Sequence, residues 1–175
     1  MVSVASCSSS DSALSWAMAH LIRRAEARDL PSLGRLGALL MQTHYDFDRA
    51  RFLAPGTSPE AGYAAFLGSQ LALDSAVLFV AEEGGQVVGY VYAGIEERSW
   101  KELRDRAGFI HDVAVDETAR RAGIAHALIE AAAAWLVAAG MPRVMLWTAE
   151  HNHAAQTLFT RLGFRRTMIE MTRES

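Results

Sequence analysis

The sequence predicts an α/β protein: one mixed β-sheet with helices on both faces. Two observations carry that prediction. Val77–Ala81 and Val87–Tyr92 are apolar, β-branched runs joined through Glu-Glu-Gly-Gly, which is a hairpin signal and gives an antiparallel half. From Phe109 onward, strand-like and helix-like runs alternate to the end of the chain, the pattern of β-α-β units with parallel strands. An antiparallel half that feeds a β-α-β-α half yields a mixed sheet, and its crossover helices cover the faces.

Each element follows from local pattern. His20 to Ala27 alternates as a first strand does. Asp29 stands as cap of a helix running to about Thr43, with Pro31 early in it, where a missing N–H does no harm. Leu30, Leu33, Leu36, Leu39 and Leu40 give that helix one apolar face. His44 to Pro55 reads as a loop, and Ser58-Pro59 as the start of a second helix. The hairpin strands come next, followed by a strand at Phe109 to Val115. Ile124 to Ala139 is a helix with Ile124, Leu128, Ala131, Trp135 and Leu136 inward, stopped by Gly140 and Pro142. Val144 to Thr148 is a short buried strand. Asn152 caps a last helix with Ala155, Leu158, Phe159 and Leu162 inward and Gly163 at its end. Phe164 to Arg173 completes the pattern as a terminal strand. The expected order is β-α-α-β-β-β-α-β-α-β.

The bulk numbers bound the function. At 175 residues, 51% hydrophobic and 21% charged, the chain is long enough for one domain with a full core. A net charge of −3 implies no general nucleic-acid affinity. The single cysteine, Cys7, cannot form an intramolecular disulfide and fits a reducing compartment, so the expected location is cytoplasmic. No apolar run is long enough to span a bilayer, and no membrane partner is expected. Residues 1–18 hold seven serines and no Lys or Arg, which lacks the basic start of a secretory leader. We read 1–18 as a loosely ordered tail or start-site segment, with Met18 as an alternative start, and 19–175 as the domain.

The segment richest in chemistry is Val113-Ala-Val-Asp-Glu-Thr-Ala-Arg120-Arg-Ala-Gly123-Ile-Ala125. It reads as strand, loop and helix start. Gly123 lets the backbone adopt unusual dihedrals and approach a ligand closely. The amides of Arg121, Ala122, Gly123, Ile124 and Ala125 fall where a helix's first turn leaves N–H groups unpaired, and with the helix dipole they favour an anion such as a pyrophosphate. Arg120 and Arg121 add positive charge. On the local pattern alone a plain turn fits as well. The loop is neither a P-loop nor a Gly-x-Gly-x-x-Gly fingerprint.

Taken together, residues 20 to 175 resemble the GNAT superfamily of acetyl-CoA-dependent N-acetyltransferases. The loop is similar to that family's Arg/Gln-x-x-Gly-x-Gly/Ala motif. Asn152-His-Ala-Ala155-Gln-Thr-Leu158-Phe159-Thr-Arg-Leu-Gly163-Phe164 is similar to its Asn-x-x-Ala-x-x-Leu-Tyr-x-x-x-Gly-Phe helix, and Ile22 to Leu30 to its first strand and helix start. The resemblance implies a GNAT-like fold and acetyl-CoA as co-substrate, lying where the strand ending at Val115 splays from the strand at Val144 to Thr148. It implies that Val113 and Val115 pair with the pantetheine arm, that the Arg120 to Ala125 amides hold the pyrophosphate, and that Asn152 contacts the cofactor arm, beside its ordinary role as a helix cap. It also implies that the amide of Val113 stabilises the oxyanion as an amine attacks the thioester directly.

In several branches of the superfamily a base sits four residues before the valine matching Val115. Here that residue is His111, whose ordinary pKa near 6.5 suits the task. Two-residue alternation places it on one strand face with Val113 and Val115, and Asp112 on the other, where a structural bond is expected. A hydrogen-bonded structural histidine fits the same position. The family's usual acid, a tyrosine in the last helix, is replaced by Phe159, which cannot donate a proton. Tyr90 and Tyr92 stand as alternatives, or as strand packing. Glu150-His151-Asn152-His153 is set aside as a metal site for want of further ligands. Asp46, Asp48, Glu96 and Glu97 are expected to flank the acceptor side, either attracting a cationic amine or simply solvated. Trp100 either lines the same entrance or packs on the sheet.

The expected activity is acetyl transfer to the primary amine of a small molecule in a ternary complex. A protein or peptide acetyltransferase and a non-catalytic acyl-CoA-binding module remain open as alternatives. The terminal strand, undivided by any turn and carrying Met168, Ile169 and Met171, implies an adhesive sheet edge and a homodimer through residues 164 to 173.

Overall fold

The computed structural model describes residues 20–174. Residues 1–18, read above as a tail, and Cys7 with them, lie outside the described part. Five strands form one sheet in the order β1-β2-β3-β4-β5: β1 Leu21–Arg24, β2 Ala76–Glu83, β3 Gln86–Glu96, β4 Ala107–Val115 and β5 Val144–Leu146. The first three pairings are antiparallel and β4 with β5 is parallel, so the sheet is mixed as expected. Four helices cover it: α1 Leu30–Phe47, α2 Pro59–Gln70, α3 Ile124–Ala138 and α4 His153–Arg161.

Each face has its own core. On one face, Ile124, Leu128, Ile129, Ala132 and Leu136 of α3 and Phe159 of α4 pack on Val77, Val91, Ala93 and Ile110. Ala131 and Trp135, expected inward, are only partly covered, because the buried stripe of α3 is turned toward Ile129 and Ala132. On the other face, Leu33 and Leu36 of α1 and Leu67 of α2 pack on Leu78, Val80, Tyr90 and Ala114. Each fully buried aliphatic side chain of this kind contributes about 1.5–3 kcal/mol relative to exposure.

Helix α1 and helix α2 lie very close together. A Cβ built on Gly37 would stand 2.0 Å from Cδ1 of Tyr63, so only glycine lets that ring lie across α1. The hairpin between β2 and β3 turns through Gly84 and Gly85, both at positive φ (56° and 80°), as a two-residue hairpin turn requires.

Two expectations are corrected. Asp29 precedes α1 but does not cap it; its carboxylate takes Arg23 at 2.7 and 2.9 Å and the Glu26 amide at 2.8 Å, tying β1 to the helix start. Arg23 and that amide together hold the Asp29 carboxyl below the usual carboxylate range. Phe164 to Arg173 is not a strand. Phe164 packs against the core, and residues 165–174 are exposed coil. The sheet edge next to β4, β5, is three residues long, and the adjacent Met168 and Ile169 break the alternation that one buried face demands.

Candidate active site

The site is built on β4, and β4 is irregular. Tyr92 pairs with Asp112 and Ala93 with Ile110, so His111 is the extra residue of a β-bulge. The bulge overturns the alternation expected from sequence. Ile110 and Val113 face α3, while His111 and Asp112, consecutive in sequence, both face α1 and α2. His111 stacks between Tyr92 (4.7 Å between ring centroids) and Phe109 (5.0 Å). Asp112 Oδ2 accepts from the hydroxyls of Tyr63 at 2.9 Å and Tyr90 at 3.2 Å. His111 therefore does not share a face with Val113 and Val115, and Asp112 is not on the face opposite His111.

The second feature of β4 is a missing neighbour. β5 pairs with it only from Gly108 to Ile110. On the β3 side, the Asp116 amide donates to the Val88 carbonyl at 2.8 Å. By the alternation of an antiparallel ladder, Ala114 and Asp112 also turn their peptide groups toward β3, while Val113 and Val115 turn theirs away, toward the side β5 has left. The Val115 carbonyl takes the Arg120 Nε at 3.3 Å.

A cavity of about 480 Å³ passes through this opening. Its lining comes from both faces of the sheet: Ile110, Val113, Ala155 and Phe159 from one, Leu40, Tyr63, His111 and Asp112 from the other. Asn152, Trp147 and Thr148 stand at the splayed side. Val115 lies two residues past Val113, about 7 Å further along the strand, and Arg120 to Ala125 continue beyond it, outside the cavity lining.

In that loop Arg121 and Gly123 are both left-handed (φ 68° and 80°). Left-handed residues within a turn collect successive amides on one side and make a concavity for anions. The first bond at the head of α3 is from Ala127 to Gly123, so the amides of Arg121 to Ala125 have no acceptor among the described residues. A Cβ on Gly123 meets nothing within 4 Å, so the cradle is open. Arg120 is turned back to Val115 and Glu117, so of the two arginines in this loop Arg121 is the one with no ion pair to any described residue. Asn152 Oδ1 caps α4 by accepting from the Ala155 amide at 3.2 Å, and the residue also lines the cavity.

The titratable groups are tuned by burial and by their neighbours. Burial, helped by the nearby Arg104 guanidinium, pushes the His111 imidazole below its ordinary value. Glu96 Oε1 is 3.6 Å from Nε2, too far for a good hydrogen bond, and Glu96 is already paired with Arg104. That carboxylate therefore does not hold a proton on the ring. Burial pushes the Asp112 carboxyl up, against the downward pull of its two phenol donors. Burial and Asp112 push both phenols up, so Tyr63 and Tyr90 keep their protons and donate.

The acidic cluster expected at the acceptor side does not assemble. Glu96 pairs with Arg104, Glu97 with Arg106, Asp46 accepts from Gln42, and Asp48 accepts the Ala50 and Arg51 amides. None of the four lines the cavity. Trp100 is 80% exposed and neither lines the entrance nor packs on the sheet. Trp147 holds the first of those places. Tyr90 is a fully buried partner of Asp112, and Tyr92 bonds Gln70. Among the described residues no group of three or more His, Cys, Asp or Glu is arranged to hold a metal ion.

A mixed sheet opened beside one parallel pair, with a through-going cavity and free amides at the next helix, defines the class: an α/β domain with a cleft at splayed strands. More particularly, the chain belongs to the Acetyltransferase (GNAT) family, whose pattern matches residues 41–164. It is 33% identical over 89 residues to the mycothiol acetyltransferase of Amycolatopsis mediterranei, covering 50% of this chain and 30% of that one. The chain thus spans less than a third of the length of that curated relative. Its fold is similar to a tetramutant of the BH1408 protein of Bacillus halodurans (TM-score 0.76, 20% identity, 89% and 99% of the two chains). It is also similar to the aminoglycoside N-acetyltransferase AAC(6')-Iy in complex with CoA (TM-score 0.69, 20% identity, 89% and 94%).

Proposed function

We propose that this protein transfers an acetyl group from acetyl-CoA to the primary amine of a small molecule, both held at once in one complex. One observation carries the proposal: the cavity threads the sheet, so a donor on the α3 and α4 face can meet an acceptor on the α1 and α2 face. The residues fit acetyl-CoA. The outward peptide groups of Val113 and Val115 would take an amide-bearing arm as another strand does, and the Arg121 to Ala125 amides would take its phosphates, with Arg121 adding charge. Asn152 stands at the cavity wall beside that arm, and the Val113 amide is the donor for the oxygen on which charge develops. Acetyl-CoA supplies the activated thioester.

His111 acts as the base in this reading. A lowered pKa leaves its imidazole neutral at pH 7 and able to accept the proton that the attacking amine must lose. Phe159 offers no proton to the leaving sulfur, so CoA departs as a thiolate or takes its proton from water. A non-catalytic acyl-CoA-binding module is the second reading, favoured by that same phenylalanine.

Two relatives named as acetyltransferases of small molecules, mycothiol and aminoglycosides, support a small-molecule acceptor. No helix among the described residues is long and apolar enough to cross a membrane, and the proposed use of acetyl-CoA supports a cytoplasmic location. For assembly we retain the homodimer through residues 164–173. The outer side of β5 is unpaired among the described residues, and Met168, Ile169 and Met171 of the terminal coil are 76%, 69% and 90% exposed. The test of the activity is thiol release from acetyl-CoA across an amine panel, with calorimetry of acetyl-CoA alone. Binding without thiol release selects the non-catalytic module; no binding rejects both.

A further inference from the structure

The cavity half on the α1 and α2 side has an unusual composition for a site that takes a cation. Its walls are Leu40, Met41, Phe52 and Leu53. Asp112 is the single carboxylate in the whole lining. The arginine in the lining is Arg51, whose guanidinium is clasped by Glu170 with its second contact at 2.9 Å. A polycation would meet one anionic group, a cation, the imidazoles of His44 and His111, and apolar wall.

Asp112 itself is half used. Both tyrosine hydroxyls donate to Oδ2. Oδ1 accepts no hydrogen bond from the described residues, yet it is not among their buried atoms lacking a partner, so it opens to the cavity that Asp112 lines. Two phenols fix the carboxylate plane, and the Gly37–Tyr63 contact fixes one of the phenols. A rigid carboxylate with one free oxygen, set in an apolar pocket next to His111, is a receptor for one N–H-bearing cation. Burial gives such a bond more weight than it has in water.

We infer that the acceptor is a primary amine on an apolar body, carrying one positive charge, and that Asp112 receives its ammonium group on Oδ1. This rests on the acetyltransferase reading above and names the substrate class of the same site. Asp112 holds the ammonium beside His111, the group that takes the proton. The alternation of β4 hides this role, because only the bulge at His111 puts both side chains in the acceptor half.

The test uses the full chain with 2-phenylethylamine, n-hexylamine, spermidine and kanamycin as acceptors, and acetyl-CoA binding measured separately. The two apolar monoamines should exceed spermidine and kanamycin in kcat/KM by about tenfold or more. Asp112→Asn should raise KM for 2-phenylethylamine by about tenfold to a hundredfold, the scale of a hydrogen bond to a charged group, with acetyl-CoA affinity unchanged. If Asp112→Asn fails to fold, the wild-type protein decides: 2-phenylethylamine should bind at least about tenfold more tightly than its neutral analogue 2-phenylethanol. Equal binding of amine and alcohol, an unchanged KM in a folded Asp112→Asn, or preference for the polycations would each overturn the inference. Loss of acetyl-CoA binding in the wild type, or no acetylation of any amine by protein that binds acetyl-CoA, would instead reject the reading beneath it.

Discussion

Gly123 offers a clean perturbation, because the space around it is empty. An added Cβ meets nothing within 4 Å, so a substitution changes only the backbone energy and whatever the new side chain carries. The backbone energy follows from φ of 80°: an L-residue held left-handed costs about 1–2 kcal/mol. Gly123→Ala should therefore lower Tm by about 2–8 °C for a chain of this size and weaken acetyl-CoA binding only modestly. Gly123→Glu carries the same strain plus a carboxylate at the mouth of the amide cradle. Two like charges about 5 Å apart repel by about 0.8–3.3 kcal/mol at effective dielectrics between 80 and 20. Acetyl-CoA affinity in Gly123→Glu should thus fall about fourfold to about 250-fold below that of Gly123→Ala, with the two variants melting together. Calorimetry at low salt reads the first quantity and thermal melting the second. If Gly123→Glu binds acetyl-CoA as Gly123→Ala does, the amides of Arg121 to Ala125 do not hold the phosphates.

His111→Ala should lower kcat by roughly a hundredfold or more with acetyl-CoA binding intact, the usual scale for loss of a general base; near-normal turnover would move the role to water. Because burial lowers the His111 pKa, the neutral base forms below the ordinary 6.5, so kcat should rise with pH through a value under 6.5 and be level at pH 7. A limb still climbing above pH 7 contradicts the assignment. Gly37→Ala puts a methyl 2.0 Å from the Tyr63 ring, which must retreat by about 1.5 Å to ordinary contact; melting should show a loss of about 1–3 kcal/mol, as overpacking does, and acceptor KM should rise as the Tyr63 hydroxyl leaves Asp112. Light scattering at tens of micromolar should give twice the 19.1 kDa chain mass, and a monomer mass would reject the dimer.

The fold was legible where pattern and packing coincide. The hairpin, the alanine-rich α3 with its glycine stop, and α4 with its Asn152 cap all carry strong local signals; α3 and α4 formed within a residue or two of the expected place, and the hairpin formed with β3 running four residues beyond Tyr92. The terminal segment failed for a physical reason: a strand needs a partner edge as well as β-branched residues, and the length of β5 cannot be read from Val144 to Thr148 alone. Asp29 misled in another way. A carboxylate before a helix has an obvious local use, but the long-range partner Arg23 outcompetes it, and a charge-assisted pair is the stronger bond. Glu96 and Glu97 were legible as exposed acids, but their arginine partners arrive through the loop at 98–106, whose shape the sequence does not announce.

The site divides along the same line. The backbone half of it, the amides at Gly123 and the unpaired edge at Val113 and Val115, is encoded by local sequence, because a glycine at positive φ and a helix start are local events. The side-chain half is encoded by register. A single extra residue in β4 rotates everything before it by one face relative to everything after it. Period-two counting from Val115 therefore lands correctly on Val113 and fails at His111, the very residue where chemistry was sought. The bulge joins what alternation had separated: a neutral imidazole and an anchored carboxylate now share one pocket, the first suited to accept a proton and the second to hold the cation that gives it up. Gly37 and Tyr63, unremarked in the sequence, complete the arrangement, since the glycine admits the ring, the ring places a hydroxyl, and the hydroxyl orients Asp112.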